Sequence, residues 1–135
     1  MVKGKQYSLG ELLTGIEGYV LENEVIESMR KKKNTDLIQC VFYLAPGDYH
    51  RYHSPLDMII KKRLHIDGVL KPVKISYLES HNVLILSKKV YEKNERVCLF
   101  GEGNNGFVSL VMVGAMNVGS IVLHFDDQLK TNQNK

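Results

Sequence analysis

"RVCLFGEGNNGFVSLVMVG", residues Arg96 to Gly114, is the stretch that decides the fold. Two runs rich in valine, leucine and phenylalanine flank a cluster of glycine and asparagine, the pattern of a β-hairpin. It predicts a strand at Arg96 to Phe100, a glycine-rich turn, and a second strand after it. The turn "GEGNNGF" also matches GxGxxG literally, at Gly101, Gly103 and Gly106. A dinucleotide fingerprint needs a helix opening at the last glycine. Valine-rich strand sequence follows instead, so the phosphate-cradle reading fails and the hairpin stands.

Downstream, the apolar character persists from Phe107 to Phe125. A spanning helix needs about 20 nearly uninterrupted apolar residues. This run carries Gly114, Asn117 and Gly119 and is dominated by valine. It predicts two buried strands with a bend near Gly114 to Gly119, and no membrane span. The residues from 126 to 135, "DDQLKTNQNK", read as a polar tail, disordered or cut short.

Upstream, Glu92 to Glu95 reads as a charged turn behind the hydrophobic segment "NVLILS". Asp67-Gly68 reads as a hairpin-type turn. Before it, "DMIIKKRLHI" alternates: Met58, Ile60, Leu64 and Ile66 fall on one side, Lys61, Arg63 and His65 on the other. Lys62 interrupts the apolar side, which suits an edge strand. "LIQCVFYLA" predicts a buried strand ending at the Pro46-Gly47 turn. Further back, "VLENEVIESMRKKKN" predicts a helix, with Leu21, Val25 and Met29 four residues apart and its charges ordered to suit the helix dipole. Ser8 and Glu11 fit a capping box at a shorter helix, with Gly10 and Gly15 limiting its length. The expectation is an α+β fold, mostly antiparallel β with one or two short helices, as a single domain over residues 1–125.

Composition narrows the function. The chain has 135 residues, 44% hydrophobic and 24% charged, which is ordinary for a globular domain. A net charge of +3 is too weak a basic balance to imply nucleic acid. The 2 cysteines, Cys40 and Cys98, form no CxxC pair, which excludes a zinc knuckle or thioredoxin-type motif. "MVKGKQYSLG" contains no apolar core of a signal peptide. The basic runs at Met29 to Lys33, Lys61 to Arg63 and Lys88 to Lys89 fit two readings. They could lean on anionic lipid, or form solvated ends and faces, which is the commoner case.

Five histidines remain: His50, His53, His65, His81 and His124. His65 falls on the polar face of a strand, His81 in a turn beside Asn82, and His124 near the end of the last strand. All three read as structural or surface residues. His50 and His53 differ, because they share the short polar stretch "YLAPGDYHRYHSP" with Asp48, Arg51 and Tyr52. A metal site needs further ligands, and none stands at an obvious spacing. A proton-transfer role needs only placement and the near-neutral pKa that imidazole already has. Spacing leaves catalysis, metal binding and a polar turn all open.

The same stretch resembles the signature loop of the phosphatidylserine decarboxylase family, Y-L-(A/S)-P-x-D-Y-H-R-(F/V/Y)-H-x-P. "NERV" at Asn94 to Val97 resembles a second family segment. "VMVGAMNVGSI" at Val111 to Ile121 resembles a third, V-G-A-x-x-V-G-S-I. "VKGKQYSLGELLTG" is similar to the segment ahead of the loop, so the resemblance runs in order from Val2 to Leu123. It implies removal of CO2 from the serine headgroup of phosphatidylserine, giving phosphatidylethanolamine. It also implies a proenzyme that cuts itself before a serine, which becomes a pyruvoyl group at the N-terminus of a separate small α chain. That carbonyl forms a Schiff base with the substrate amine and acts as the electron sink. By position, His53 matches the histidine that works with an aspartate and the serine in self-cleavage, by triad logic. His50 matches the histidine of the decarboxylation step.

The sequence also departs from the family. The triad aspartate's motif is absent; Asp67-Gly68 is not that motif, and Asp48 is no substitute for it. The glycine-serine cut site is absent too, since Gly119-Ser120 is followed by Ile121. The N-terminal membrane-associating region is missing. The expectation is therefore a portion of the β chain, unable to turn over alone, with no cofactor-binding residue and no metal of its own. Its expected partners are the pyruvoyl-bearing α chain, phosphatidylserine and a membrane surface, with a homodimer of αβ units and no nucleic acid. Its expected place is peripheral on a membrane, the mitochondrial inner membrane or the endoplasmic reticulum. The competing expectation is a non-catalytic lipid-binding module of the same fold.

Overall fold

A computed structural model describes residues 9–15, 38–73 and 90–133. Its elements are α1 (Leu9–Thr14), β1 (Met58–Ile66), α2 (Val90–Lys93), β2 (Arg96–Gly103) and β3 (Gly106–Val113). The three strands form one antiparallel sheet in the order β1-β2-β3. This matches the expected α+β class with short helices.

The hairpin at the centre forms as the sequence implies. β2 and β3 pair from Arg96↔Val113 to Gly103↔Gly106, leaving Asn104 and Asn105 as the turn. Cross-strand partners share a face of a sheet, so two layers can be read from the register. Val97, Leu99, Leu110 and Met112 lie on one face, where Ile121, Leu123 and Leu129 cover them to make the apolar core. Arg96 and Cys98 lie on the other face, under α1, where Leu12 and Leu13 are buried. Helix α1 stops at Gly15, whose φ of +76° is a left-handed conformation that glycine adopts without a Cβ penalty. The Gly15 N–H closes the last turn on the Glu11 carbonyl at 2.9 Å.

β1 is an edge strand, but its alternation is not continuous. The register shifts between Ile60 and Lys62, so Ile60 pairs with Gly101 and Lys62 with Phe100. Lys61 is the extra residue of this β-bulge, and a bulge reverses which face the following side chains take. Met58 and Ile60 therefore share a face with Arg63 and His65, while Leu64 and Ile66 point to the α1 side. The expected single apolar side does not exist. Lys62 was the visible sign of the phase change.

Other expectations are also corrected. Residues 38–45 form no strand, and Ile38 and Phe42 are more than 80% exposed. An apolar run predicts burial without saying which chain supplies the cover, and among the described residues nothing pairs with it. Asp67-Gly68 is not a hairpin turn. Val69 makes a parallel bridge to Asn94, and a Cβ on Gly68 would come within 2.4 Å of the Lys93 carbonyl. Glycine is there for close approach. Glu92 to Glu95 is not a solvated turn: α2 ends at Lys93, and Asn94 and Glu95 are fully buried.

After the β3 end, Ala115 and Val118 close a tight turn with Asn117 at φ 68°. The second strand expected after it does not form. Ile121 and Leu123 are still buried with Val122 exposed between them, but Ile121 bonds the Thr131 hydroxyl rather than a neighbouring strand. The expected polar tail is packed as far as it is described. Leu129 enters the core and Thr131 is buried. The helix expected from Leu21, the segment "NVLILS", Ser8 of the capping box, His81 and the basic runs around Lys31 and Lys88 lie outside the described residues.

Candidate active site

The histidine loop begins with a turn built by its own sequence. Pro46 fixes one backbone angle and Gly47 takes φ +94°. The Asp48 N–H then donates to the Ala45 carbonyl at 2.9 Å, and the Asp48 carboxylate accepts from the Ala45 N–H at 2.7 Å. The Asp48 carboxylate therefore closes the turn and contacts neither histidine.

His50 leaves that turn with its Nδ1 2.7 Å from the Asp48 carbonyl oxygen. A carbonyl only accepts, so Nδ1 carries the proton in this contact. In the neutral ring, Nε2 is then the basic nitrogen, and it has no partner among the described residues. Its exposure leaves it open to a proton donor or acceptor from outside. His53 is held differently. Its ring stacks on Tyr49, with centroids 6.0 Å apart and planes within 3°, and its Nε2 lies 3.0 Å from the Tyr49 hydroxyl. The two histidines thus have separate supports, a main-chain carbonyl and a phenol. Neither meets a carboxylate among the described residues, so no triad is assembled here. Partial burial raises the Tyr52 phenol above its ordinary value. The Ser54 hydroxyl donates to the Leu56 carbonyl at 2.6 Å, closing the loop ahead of β1.

The loop and its flanks carry exposed apolar side chains. Phe42, Tyr43, Leu44, Tyr49, Tyr52, Leu56 and Ile59 are all exposed large side chains. Among the described residues no group of three or more histidine, cysteine, aspartate or glutamate side chains converges to hold a metal ion. No described helix is long and apolar enough to cross a membrane.

Behind the sheet, the stretch Asn94-Glu95-Arg96 works as a buried knot. The Asn94 amide accepts from the Lys71 N–H at 3.1 Å and donates to the Lys71 and Gly114 carbonyls at 2.8 and 2.9 Å. Glu95 holds His65, whose Nε2 is 3.0 Å from Oε1. Arg96 donates to the carbonyls of Leu12, Glu11 and Glu92 at 2.7 Å each and of Asn94 at 3.0 Å. Those oxygens include carbonyls in the C-terminal turns of two helices, where a cation is favoured. Burial pulls the Arg96 guanidinium below its ordinary value, with Cys98 and Glu92 opposing. Burial also pushes the Cys98 thiol from 9.0 to about 11, with Arg96 opposing.

Sequence reasoning singled out His50 and His53 as candidates and did not foresee the Tyr49–His53 pair. The spacing of four residues with an aromatic was its only signal. His65, expected on a polar strand face, proves half-buried against a fully buried carboxylate. His124 is exposed, as expected.

Comparison with known proteins gives one family. The family described as phosphatidylserine decarboxylase matches residues 1–135. The "Phosphatidylserine decarboxylase proenzyme, mitochondrial" of Rattus norvegicus is 45% identical over 101 residues, covering 75% of this chain and 23% of the relative. "Proenzyme 2, mitochondrial" of Schizosaccharomyces pombe is 47% identical over 98 residues, covering 72% and 18%. "Proenzyme 1, mitochondrial" of Saccharomyces cerevisiae is 43% identical over 106 residues, covering 78% and 20%. The aligned part of the chain thus spans about a fifth of these relatives' length. No solved structure matches.

Proposed function

The chain belongs to the phosphatidylserine decarboxylase family, and on that premise we propose that it is the histidine-bearing portion of a pyruvoyl-dependent phosphatidylserine decarboxylase. The reaction is loss of CO2 from the serine headgroup, giving phosphatidylethanolamine. The observation that carries the reading is the His50 imidazole, pinned at Nδ1 by the Asp48 carbonyl and open at Nε2 in an exposed loop.

The residues present fit a pyruvoyl group brought by another chain. The loop has an imidazole nitrogen without a partner, and apolar side chains stand uncovered around it. When bound, the group supplies a sink for the electron pair released as CO2 departs. This chain's part is proton handling and cover. With Nδ1–H kept on the Asp48 carbonyl, His50 Nε2 takes up a proton from solvent and, as the imidazolium, delivers it to the carbon that has lost CO2, returning to the neutral ring. His53, held in orientation by Tyr49, takes the proton of the cleavage serine during self-processing. The aspartate and serine of that step come from outside the described residues. The apolar surface around the loop excludes water once covered.

The partners that go with this reading are the small α chain, phosphatidylserine in a membrane surface, and a second αβ unit. The placement is peripheral on a membrane. The mitochondrial inner membrane comes first because the relatives carry "mitochondrial" in their names.

Intact-mass analysis of the full-length gene product tests it. A small second chain with a carbonyl-bearing, blocked N-terminus, together with conversion of phosphatidylserine in vesicles, is the expected result. A single uncut chain that binds the vesicles without releasing CO2 would leave a lipid-binding module in its place.

A further inference from the structure

We propose that residues Asp126 to Asn132 form a strap that opens and closes as one unit over the apolar face of the sheet, latched at one end by Arg63 and at the other by Glu95. The inference is independent of the catalytic reading, since it involves neither histidine of the loop.

Four contacts hold the segment. Asp126 makes an ion pair with Arg63 at 2.6 Å, and both side chains are mostly shielded from solvent. Leu129 packs into the core beside Val97, Leu99 and Met112. The Thr131 hydroxyl accepts from the Ile121 N–H at 2.8 Å and donates to the Ile121 carbonyl at 3.2 Å. The Asn132 N–H donates to Glu95 Oε1 at 2.6 Å, on a carboxylate with 0% exposure.

The arrangement of the two latches makes them cooperative. Arg63 and His65 are alternate residues of β1 beyond its bulge, so both reach the same face. Arg63 holds the near end of the strap, and His65 shares with Asn132 the Glu95 oxygen at the far end. Between the latches the strap pairs with no strand among the described residues; beside the Thr131 bonds to Ile121 it has the local bonds Asp126 N–H to the Leu123 carbonyl, Gln128 N–H to Asp126 Oδ1 and Leu129 N–H to the Asp126 carbonyl. A segment with charged fastenings at its ends, and between them one apolar anchor and one hydroxyl bonded to Ile121, gains little from holding one end alone. Such units open below the free energy of global unfolding.

Residue-resolved amide hydrogen exchange on the full chain tests the strap. Asp126→Asn keeps the turn bond from the Gln128 N–H to Oδ1 and removes only the ion pair. It should speed exchange at Ile121, Leu129 and Asn132 together, by about fivefold, the size of one partly shielded ion pair. The β2–β3 ladder amides should be unaffected. Arg63→Gln should reproduce the effect, and the double variant should add nothing to it. Glu95→Gln should accelerate the same three amides from the other end. Faster exchange confined to residues 126–128 in Asp126→Asn would overturn the proposal, because the segment would then fray piecemeal. So would acceleration that includes the β2–β3 ladder. If Glu95→Gln does not fold, the Arg63 and Asp126 variants decide alone.

Discussion

Tyr49 and His53 are joined ring on ring, one helical repeat apart in sequence but in a loop without regular structure, with the phenol hydroxyl 3.0 Å from the imidazole Nε2. The contact orients one histidine of the loop and leaves the other to its own turn. Removing the hydroxyl while keeping the ring separates orientation from stacking. In the full-length proenzyme, Tyr49→Phe should slow self-cleavage by about fivefold, the equivalent of one ordinary hydrogen bond. Once mature, that variant should decarboxylate at an unchanged rate. Time courses of the mass shift and of CO2 release, read on the same samples, check both statements.

The two histidines should separate in the same assay. His53→Ala should block self-cleavage. His50→Ala should leave cleavage intact and lower decarboxylation by about 100-fold or more, the range of one acid–base group. Equal loss of both steps in each variant would contradict separate roles.

Arg96 is expected to be a stability residue. Arg96→Met keeps bulk but leaves carbonyls of Leu12, Glu11, Glu92 and Asn94 without their cation. A loss of about 3 kcal/mol is expected, since the buried Leu12 and Asn94 carbonyls lose a charged donor and those of Glu11 and Glu92 lose a part-buried one. Denaturant unfolding checks it. Arg96→Lys should recover only part, because one ammonium cannot reproduce the fork of donors.

Cys98 sets a pH dependence. Its thiol is shifted from 9.0 up to about 11 by burial, so the folded state disfavours the thiolate. The unfolded chain then loses its proton first. Stability from this group is complete below about pH 9 and falls as pH rises toward 11. Unfolding curves at pH 8 and pH 10.5 should differ in that direction, and Cys98→Ala should flatten the difference. At pH 8 a thiol reagent should modify exposed Cys40 and spare Cys98.

The legible parts of the fold are those governed by local pattern. The β2–β3 hairpin followed from period-two apolar runs around Asn104 and Asn105, and α1 from its stop at Gly15. The parts that were not legible depend on partners distant in sequence. Glu92 to Glu95 reads as a charged turn, and nothing local marks Glu95 or the strand residue Arg96 as buried, because charges are usually outside. Only the fold supplies His65 and the Leu12 carbonyl to receive them. The bulge at Lys61 needs the register of β2 to be seen. "LIQCVFYLA" has the composition of a core strand but stays uncovered among the described residues, and composition cannot specify what lies against it. At the candidate site, the loop sequence alone was enough to single out the two histidines for test. The tautomer of His50 could not be read from it, since it depends on where the Asp48 carbonyl points.

The clamp of Arg96 on α1 also orders events during synthesis. A helix of six residues is too short to persist in water by itself. The guanidinium that satisfies its last carbonyls lies 84 residues further along the chain than Leu12. As the polypeptide leaves the ribosome, α1 emerges ahead of β2 and waits for it before it can be fixed. This helix is therefore settled late, and a nascent chain stalled between α1 and Arg96 presents Leu12 and Leu13 to the chaperones of the cell.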